Sequence, residues 1–241
     1  VSLYSKVDRP FELYAGYTRD AFDYLSLSIM FLVIIGVVLS APLFSESYES
    51  GADHILRCTK YGRGKLARTK VIANMLPSIL IYIVGVIVHL LISDLSFGII
   101  TLKTSVQALY DTISLPNFNL FQLQIVLAVG GLLTLISVNA FTYFLSAKLE
   151  RVAGTICISL LAALAPLFIS AAAGTNWVSS ILPAGGIGLT NNLLMQLVDF
   201  RFLHLGSHSF WNPQVTMLFT IIWIPVFLIL AVRSYCKHRI A

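Results

Sequence analysis

Five apolar runs constrain this chain more than any other feature. They cover residues 25–44, 71–92, 121–147, 152–173 and 214–235. Each matches the roughly 20 residues that a helix needs to cross a bilayer. None carries Asp, Glu, Lys or Arg, apart from Arg233 near the end of the last. Backbone in hydrocarbon must satisfy its own hydrogen bonds, so uncharged runs of this length predict helices. Only 11% of residues are charged, less than half the roughly 25% of soluble domains. The sequence therefore reads as an all-α polytopic membrane protein, one transmembrane domain over residues 1–241. Gly36, Gly85, Gly130, Gly131, Ala162, Ala163 and Ala165 lie inside the runs and permit close helix contact. Pro42, Pro77, Pro166 and Pro225 mark places where a span is expected to kink.

Charge in the loops predicts orientation. Residues 45–70, 148–151 and the tail from Arg233 hold 11 Lys/Arg and 4 acids. Residues 1–24, 93–120 and 174–213 hold 5 Lys/Arg and 7 acids. The positive-inside rule places the first set, and so the C-terminus, in the cytoplasm. Residues 1–24 then lie outside without a signal-peptide pattern, which predicts a preceding span and six in the whole protein. Residues 174–213 are apolar in part but broken by Pro183, Gly185, Gly186 and Gly188. A sixth crossing there would put the basic tail outside, so the segment is expected to be external and re-entrant, with helices that dip in and return. Trp177, Phe210 and Trp211 are expected at the outer interface. The three cysteines, Cys58, Cys157 and Cys236, form no paired motif, so neither a disulfide framework nor a zinc site is indicated.

The polar insert 45–70 carries Arg57, Lys60, Arg63, Lys65, Arg68 and Lys70 against Glu46, Glu49 and Asp53. Residues 45–51 extend the preceding span and end at Gly51. Asp53 caps or begins a short helix over 52–60, with Ile55 and Leu56 as its apolar residues. Tyr61-Gly62-Arg63-Gly64 is a break. Such a helix, held between two spans, is a handle for a cytosolic protein. An ordinary basic loop lying on anionic lipid accounts for the same residues.

Residues 31–70 resemble the second span and following loop of ABC type-2 exporter permeases. The likeness rests on the acidic turn Glu46-Ser47-Tyr48-Glu49-Ser50-Gly51, the short helix after it, and the basic return Tyr61-Gly62-Arg63-Gly64-Lys65-Leu66 with Lys70. The order of the remaining elements agrees with that family. Its first span and amphipathic lead-in have no counterpart in this sequence. The resemblance implies the membrane subunit of an ATP-driven exporter, moving substrate outward across the cell membrane. It implies that 52–60 is the coupling helix that docks on a separate cytosolic ATPase subunit. The docking residues would be Glu49, Gly51, Asp53, Ile55, Leu56, Arg57 and Lys60. The partners implied are that ATPase, a second permease subunit (identical or sibling) and membrane lipid, with no nucleic acid. ATP and magnesium would sit on the ATPase, leaving this chain without cofactor, metal or catalytic residue.

The residues agree with an external energy source. No span carries a buried carboxylate, the usual mark of ion coupling. Gly62-Arg63-Gly64-Lys65-Leu66 lacks the spacing and hydroxyl of a phosphate-binding loop. His89 reads as a packing or interfacial histidine. Asn139 and Thr142, with Asn74, are candidates to line a translocation path, although interhelical hydrogen bonding explains them as well. His204 and His208, spaced i, i+4 with Asp199 nearby, raise the alternative of a membrane enzyme with an external histidine site. A membrane anchor or sensor subunit without transport is the other alternative.

Overall fold

The computed structural model of the chain describes residues 17–59, 62–110, 118–174, 176–188, 192–199, 201–205 and 208–238. The chain is an all-α, polytopic membrane protein. Five helical segments are long and apolar enough to cross a membrane: Arg19–Glu49, Gly64–Phe97, Leu120–Ser146, Val152–Ala173 and Asn212–Lys237. In order, the elements are α1 (Arg19–Ser40), α2 (Pro42–Glu49), α3 (Ala52–Arg57) and α4 (Gly64–Phe97). A 3-10 turn (Ile99–Lys103) and α5 (Val106–Tyr110) lead to α6 (Leu120–Ser146) and α7 (Val152–Ala173). Two short helices, α8 (Trp177–Ile181) and α9 (Leu193–Val198), precede the strands β1 (Phe202–Leu205) and β2 (His208–Trp211) and the last helix, α10 (Asn212–Lys237).

The expected spans lie within these helices to a residue, but two helices run well past them. α4 has 34 residues, about 51 Å at 1.5 Å per residue, against a hydrocarbon core of about 30 Å. Its first turns contain the basic return Lys65–Lys70, which is therefore helical rather than a connecting loop. Its last turns carry Asp94, half-buried. Asp94 Oδ1 accepts hydrogen bonds from the Tyr17 hydroxyl (3.0 Å) and from Gln124 Nε2 (2.8 Å). Asp94 lies two residues beyond the expected span 71–92 but on the same helix. The apolar run stops before Asp94, but the helix continues.

Prolines 77, 166 and 225 sit inside α4, α7 and α10 without ending them. Pro42 does separate α1 from α2. Proline has no N–H to return to the preceding turn, and the backbone groups freed here find side chains: Ser45 Oγ donates to the Ala41 carbonyl (2.9 Å), and Ser146 serves three groups. Ser146 Oγ, on α6, donates to the Ala41 carbonyl (2.7 Å) and accepts from the N–H groups of Phe44 (2.9 Å) and Ser45 (3.1 Å). The site is buried, so each of these bonds replaces one that water cannot supply.

α6 is the most buried of the five spans and touches α1, α4, α7 and α10. Close approach depends on small residues. A Cβ at Gly131 would collide with the Tyr82 hydroxyl of α4 and come within 2.7 Å of Ile29 on α1. One at Gly36 would lie 2.6 Å from Leu135. The apolar core divides in two. A large cluster runs from Val37 and Val138 to Tyr17, Leu109 and Leu194. A smaller one at the basic end joins Phe44, Ala67, Val71, Tyr143, Ala147, Ala231 and Tyr235.

The segment after α7, where re-entrant helices are expected, folds as two short helices and a strand pair. α8 and α9 are 5 and 6 residues long, joined through a turn at Pro183–Gly186. Asn176 caps α8 and Asn192 caps α9. Trp223 on α10 donates to the Ile181 carbonyl (2.6 Å). Gln196 donates to the Gly185 carbonyl (3.0 Å). The non-helical backbone is thus covered by protein, as apolar surroundings require. β1 and β2 form an antiparallel hairpin with Leu205 opposite His208. Trp177 reaches this hairpin, donating to the His204 carbonyl (3.0 Å) and meeting Phe210 edge-on at 6.2 Å.

Candidate functional site

Among the described residues, the basic end of the bundle carries a short helix, α3, with Ile55 on its outer face 75% exposed. Chain geometry creates it. α2 stops at Glu49, and Gly51 takes the left-handed conformation (φ 71°) that lets the backbone leave the helix axis. α3 follows for 6 residues. It ends at Arg57, short of the expected limit at Lys60, which lies outside the described residues with Tyr61. Two backbone turns, Cys58 N–H to the Ile55 carbonyl and Thr59 N–H to the Leu56 carbonyl, use up its last acceptors. The Thr59 hydroxyl adds a 2.7 Å bond to Leu56. Gly62 packs against that same carbonyl so closely that any Cβ would overlap it. The break therefore requires glycine for space.

Asp53 does not cap its own helix. It is only 3% exposed, and its Oδ1 accepts a 2.9 Å hydrogen bond from the hydroxyl of Tyr235, itself 0% exposed. This bond ties the first turn of α3 to the last turns of α10, 182 residues away. Around it lies an aromatic stack. The Tyr235 ring lies 4.8 Å from Phe44 and 6.2 Å from Tyr48, and Tyr48 stacks on His238 at 4.4 Å. Lys70 closes the side with a 2.5 Å bond to Ser47 Oγ and a place over the Phe44 ring at 5.9 Å. Glu49 turns toward the neighbouring connection. Its Oε2 accepts from Val152 N (3.1 Å), the first N–H of α7, where a helix N-terminus favours negative charge.

The sequence-predicted docking residues thus separate into two groups. Glu49, Gly51 and Asp53 build the mount. Ile55 is 75% exposed and Leu56 half-buried beside it, so Ile55 is the apolar group α3 presents outward. The backbone of Arg57 belongs to α3, and Lys60 lies outside the described residues. Sequence reasoning missed Tyr235, Tyr48 and Ser146. A tyrosine at the end of a span carries no signal of its own until the partner carboxylate is known.

The intramembrane polar residues sit inside the protomer. Asn139 and Thr142 are both 0% exposed. Thr142 Oγ bonds the Val138 carbonyl of its own helix (2.9 Å). Asn139 packs where Gly36 admits it, and its amide makes no hydrogen bond among the described residues. Asn74 links three helices, donating to the Leu39 carbonyl (3.1 Å) and accepting from Tyr143 (3.0 Å). His89 Nδ1 meets Ser28 Oγ at 3.1 Å on α1.

At the opposite end, the histidine pair is not on a helix. His204 stands opposite Ser209 in the hairpin register, with Nδ1 2.8 Å from the Ser209 hydroxyl. Asp199 is engaged by Arg201 at 2.6 Å. No group of three or more His, Cys, Asp or Glu side chains is placed to hold a metal among the described residues.

No protein-family model matches the chain, and no curated protein matches it.

Proposed function

We propose that this chain is the transmembrane permease subunit of an ATP-driven exporter of the ABC type-2 kind, in the cell membrane with its C-terminus in the cytoplasm. The observation that carries the reading is the pairing of an outward Ile55 with an inward Asp53 on one short helix. A helix that only lay on lipid would have no need for a buried hydrogen bond to the last span. A helix that receives force would. In this reading the ATPase grips Ile55 and Leu56. ATP binding and magnesium on that partner move α3, and the Asp53–Tyr235 bond passes the displacement to α10. α10 packs most extensively on α6, the central helix, so the movement enters the bundle at its core. A ligand-driven change needs differential contact with the two states, and α3 supplies the surface for it. Two permease subunits and two ATPases would complete the exporter, with the substrate path between the permeases.

The test is affinity purification of the tagged chain from its native cell, with mass analysis of what accompanies it. The expected result is an ATPase subunit in equal amount, lost when Ile55 and Leu56 are both changed to Glu. Recovery of the ATPase unchanged in that variant overturns the role of α3. Its absence from the wild-type complex overturns the exporter reading and leaves the anchor or sensor alternative.

A further inference from the structure

The basic end has a second feature, on the side of the bundle rather than its tip. α4 enters the bundle there and α10 leaves it. The two helices meet through small residues and one ring, Ala67 and Val71 on α4 with Ala231 and Tyr235 on α10. Beside this seam runs an open groove of about 530 Å³, lined by Arg68, Leu228, Ile229, Val232 and Arg233. Its volume falls within the roughly 300–1,000 Å³ usual for small-molecule sites. The two arginines hold equivalent places. Arg68 is the last arginine before the apolar stretch of α4, and Arg233 is the first charge after that of α10. Both therefore stand at the same membrane boundary, one on each wall.

Neither guanidinium has a hydrogen bond or ion pair among the described residues, and no Asp or Glu lines the groove. This contrasts with Lys70, two residues on and so about half a helical turn away, which is bound to Ser47. Arginine at a span end ordinarily extends toward water and needs no partner. Two on facing walls of one groove, above a floor of Leu and Ile, make a different shape. Guanidinium groups match phosphate oxygens in a two-pronged fashion, and the floor matches an acyl chain. Basic pockets between membrane helices select anionic headgroups for this reason.

We infer that the groove between α4 and α10 binds one anionic phospholipid, its phosphate held by Arg68 and Arg233 and an acyl chain lying along Leu228, Ile229 and Val232. This site is independent of the exporter reading, since it uses neither α3 nor an ATPase. It places a lipid against the same helix that Asp53 holds, so the lipid composition of the membrane would bear on how firmly α10 is seated.

The test is native mass spectrometry of the purified full chain in detergent, titrated with dioleoyl phosphatidylglycerol or dioleoyl phosphatidylcholine. Two basic contacts at a membrane surface predict a preference of roughly 30-fold for the anionic lipid. The variant R68Q/R233Q should bind the two lipids equally, and R68K/R233K, which keeps the charges, should retain most of the preference. Equal binding of both lipids by the wild type overturns the proposal. So does a preference that survives in R68Q/R233Q. Inorganic phosphate or dihexanoyl phosphatidylglycerol stabilising the chain to heat as well as the dioleoyl lipid would also overturn it, because the apolar floor would then contribute nothing.

Discussion

The two ends of the bundle solve the same problem differently. At both, spans stop and backbone groups lose their helical partners. At the end where α5, α8, α9 and the hairpin gather, the solution is local. Asn119 caps α6 with Gln122, Asn176 caps α8 with Ser179, and Asn192 caps α9. Longer-range bonds add to these caps: the knot of Tyr17, Asp94 and Gln124, Arg19 to the Leu109 carbonyl (2.9 Å) and Trp223 to the Ile181 carbonyl (2.6 Å). At the basic end the solution is remote. Ser146 serves the break at Pro42, more than 100 residues earlier in the chain. Glu49 serves α7 and Asp53 takes Tyr235. Local caps let an end close over itself. Remote bonds join α2 to α6, α2 to α7 and α3 to α10, and elements tied in this way move together. That is the mechanical property the proposed docking helix needs.

The comparison can be broken most severely at Ser146. Ser146→Val removes one donor and one acceptor that serve three buried backbone groups. The expected loss is about 3 kcal/mol, taking 1–3 kcal/mol for each of the two buried N–H groups left unmade, since the Ala41 carbonyl keeps its bond from Ser45 Oγ. Thermal unfolding in detergent reads it. Tyr235→Phe keeps the ring in its stack and deletes the hydroxyl that bonds Asp53. The expected cost is about 1.5 kcal/mol, with faster proteolytic cutting between Gly51 and Gly64. Unchanged cutting would mean that the aromatic stack alone holds α3. Gln124→Leu at the opposite end takes two bonds from the Tyr17–Asp94 knot. It should cost about 1 kcal/mol and leave both the proteolysis pattern and ATPase recovery as in the wild type. A loss of ATPase recovery there would show that the two ends are not mechanically separate. Glu49→Gln should cost least, about 0.5 kcal/mol, because it removes only the charge facing the α7 N-terminus. High salt should erase most of that difference in the same melting experiment.

Much of the fold was legible in the residues. An apolar run of 20 or so without charge has one outcome in hydrocarbon, which is why each expected span lies within an observed helical segment to a residue, the first with its break at Pro42. The turn at Gly51 was readable because an acidic helix end followed by glycine is a local signal. The length of α4 was not readable from hydropathy, since Lys65–Lys70 and Asp94 end the apolar run without ending the helix. The hairpin escaped for another reason. Phe202–Leu205 and His208–Trp211 leave two residues between them, a spacing that suits a tight turn, but the histidines drew attention to a helical i, i+4 pattern instead. Of the candidate site, α3 and its apolar residue Ile55 could be named in advance. The mount could not, because Asp53 and Tyr235 are ordinary residues until folding brings them to 2.9 Å.

The sequence by itself determined that this chain enters a membrane, which segments cross and which end is basic. Those outcomes depend on hydropathy and charge, which are sums over neighbouring residues and need no knowledge of contacts. Only the tertiary structure decided which polar groups at the basic end answer one another. It set Asp53 inward and Ile55 outward, gave the break at Pro42 to Ser146 and Ser45, and brought Arg68 and Arg233 to one groove. A hydrogen bond depends on two atoms arriving within about 3 Å, and at separations of 100 residues or more that is settled by how helices pack.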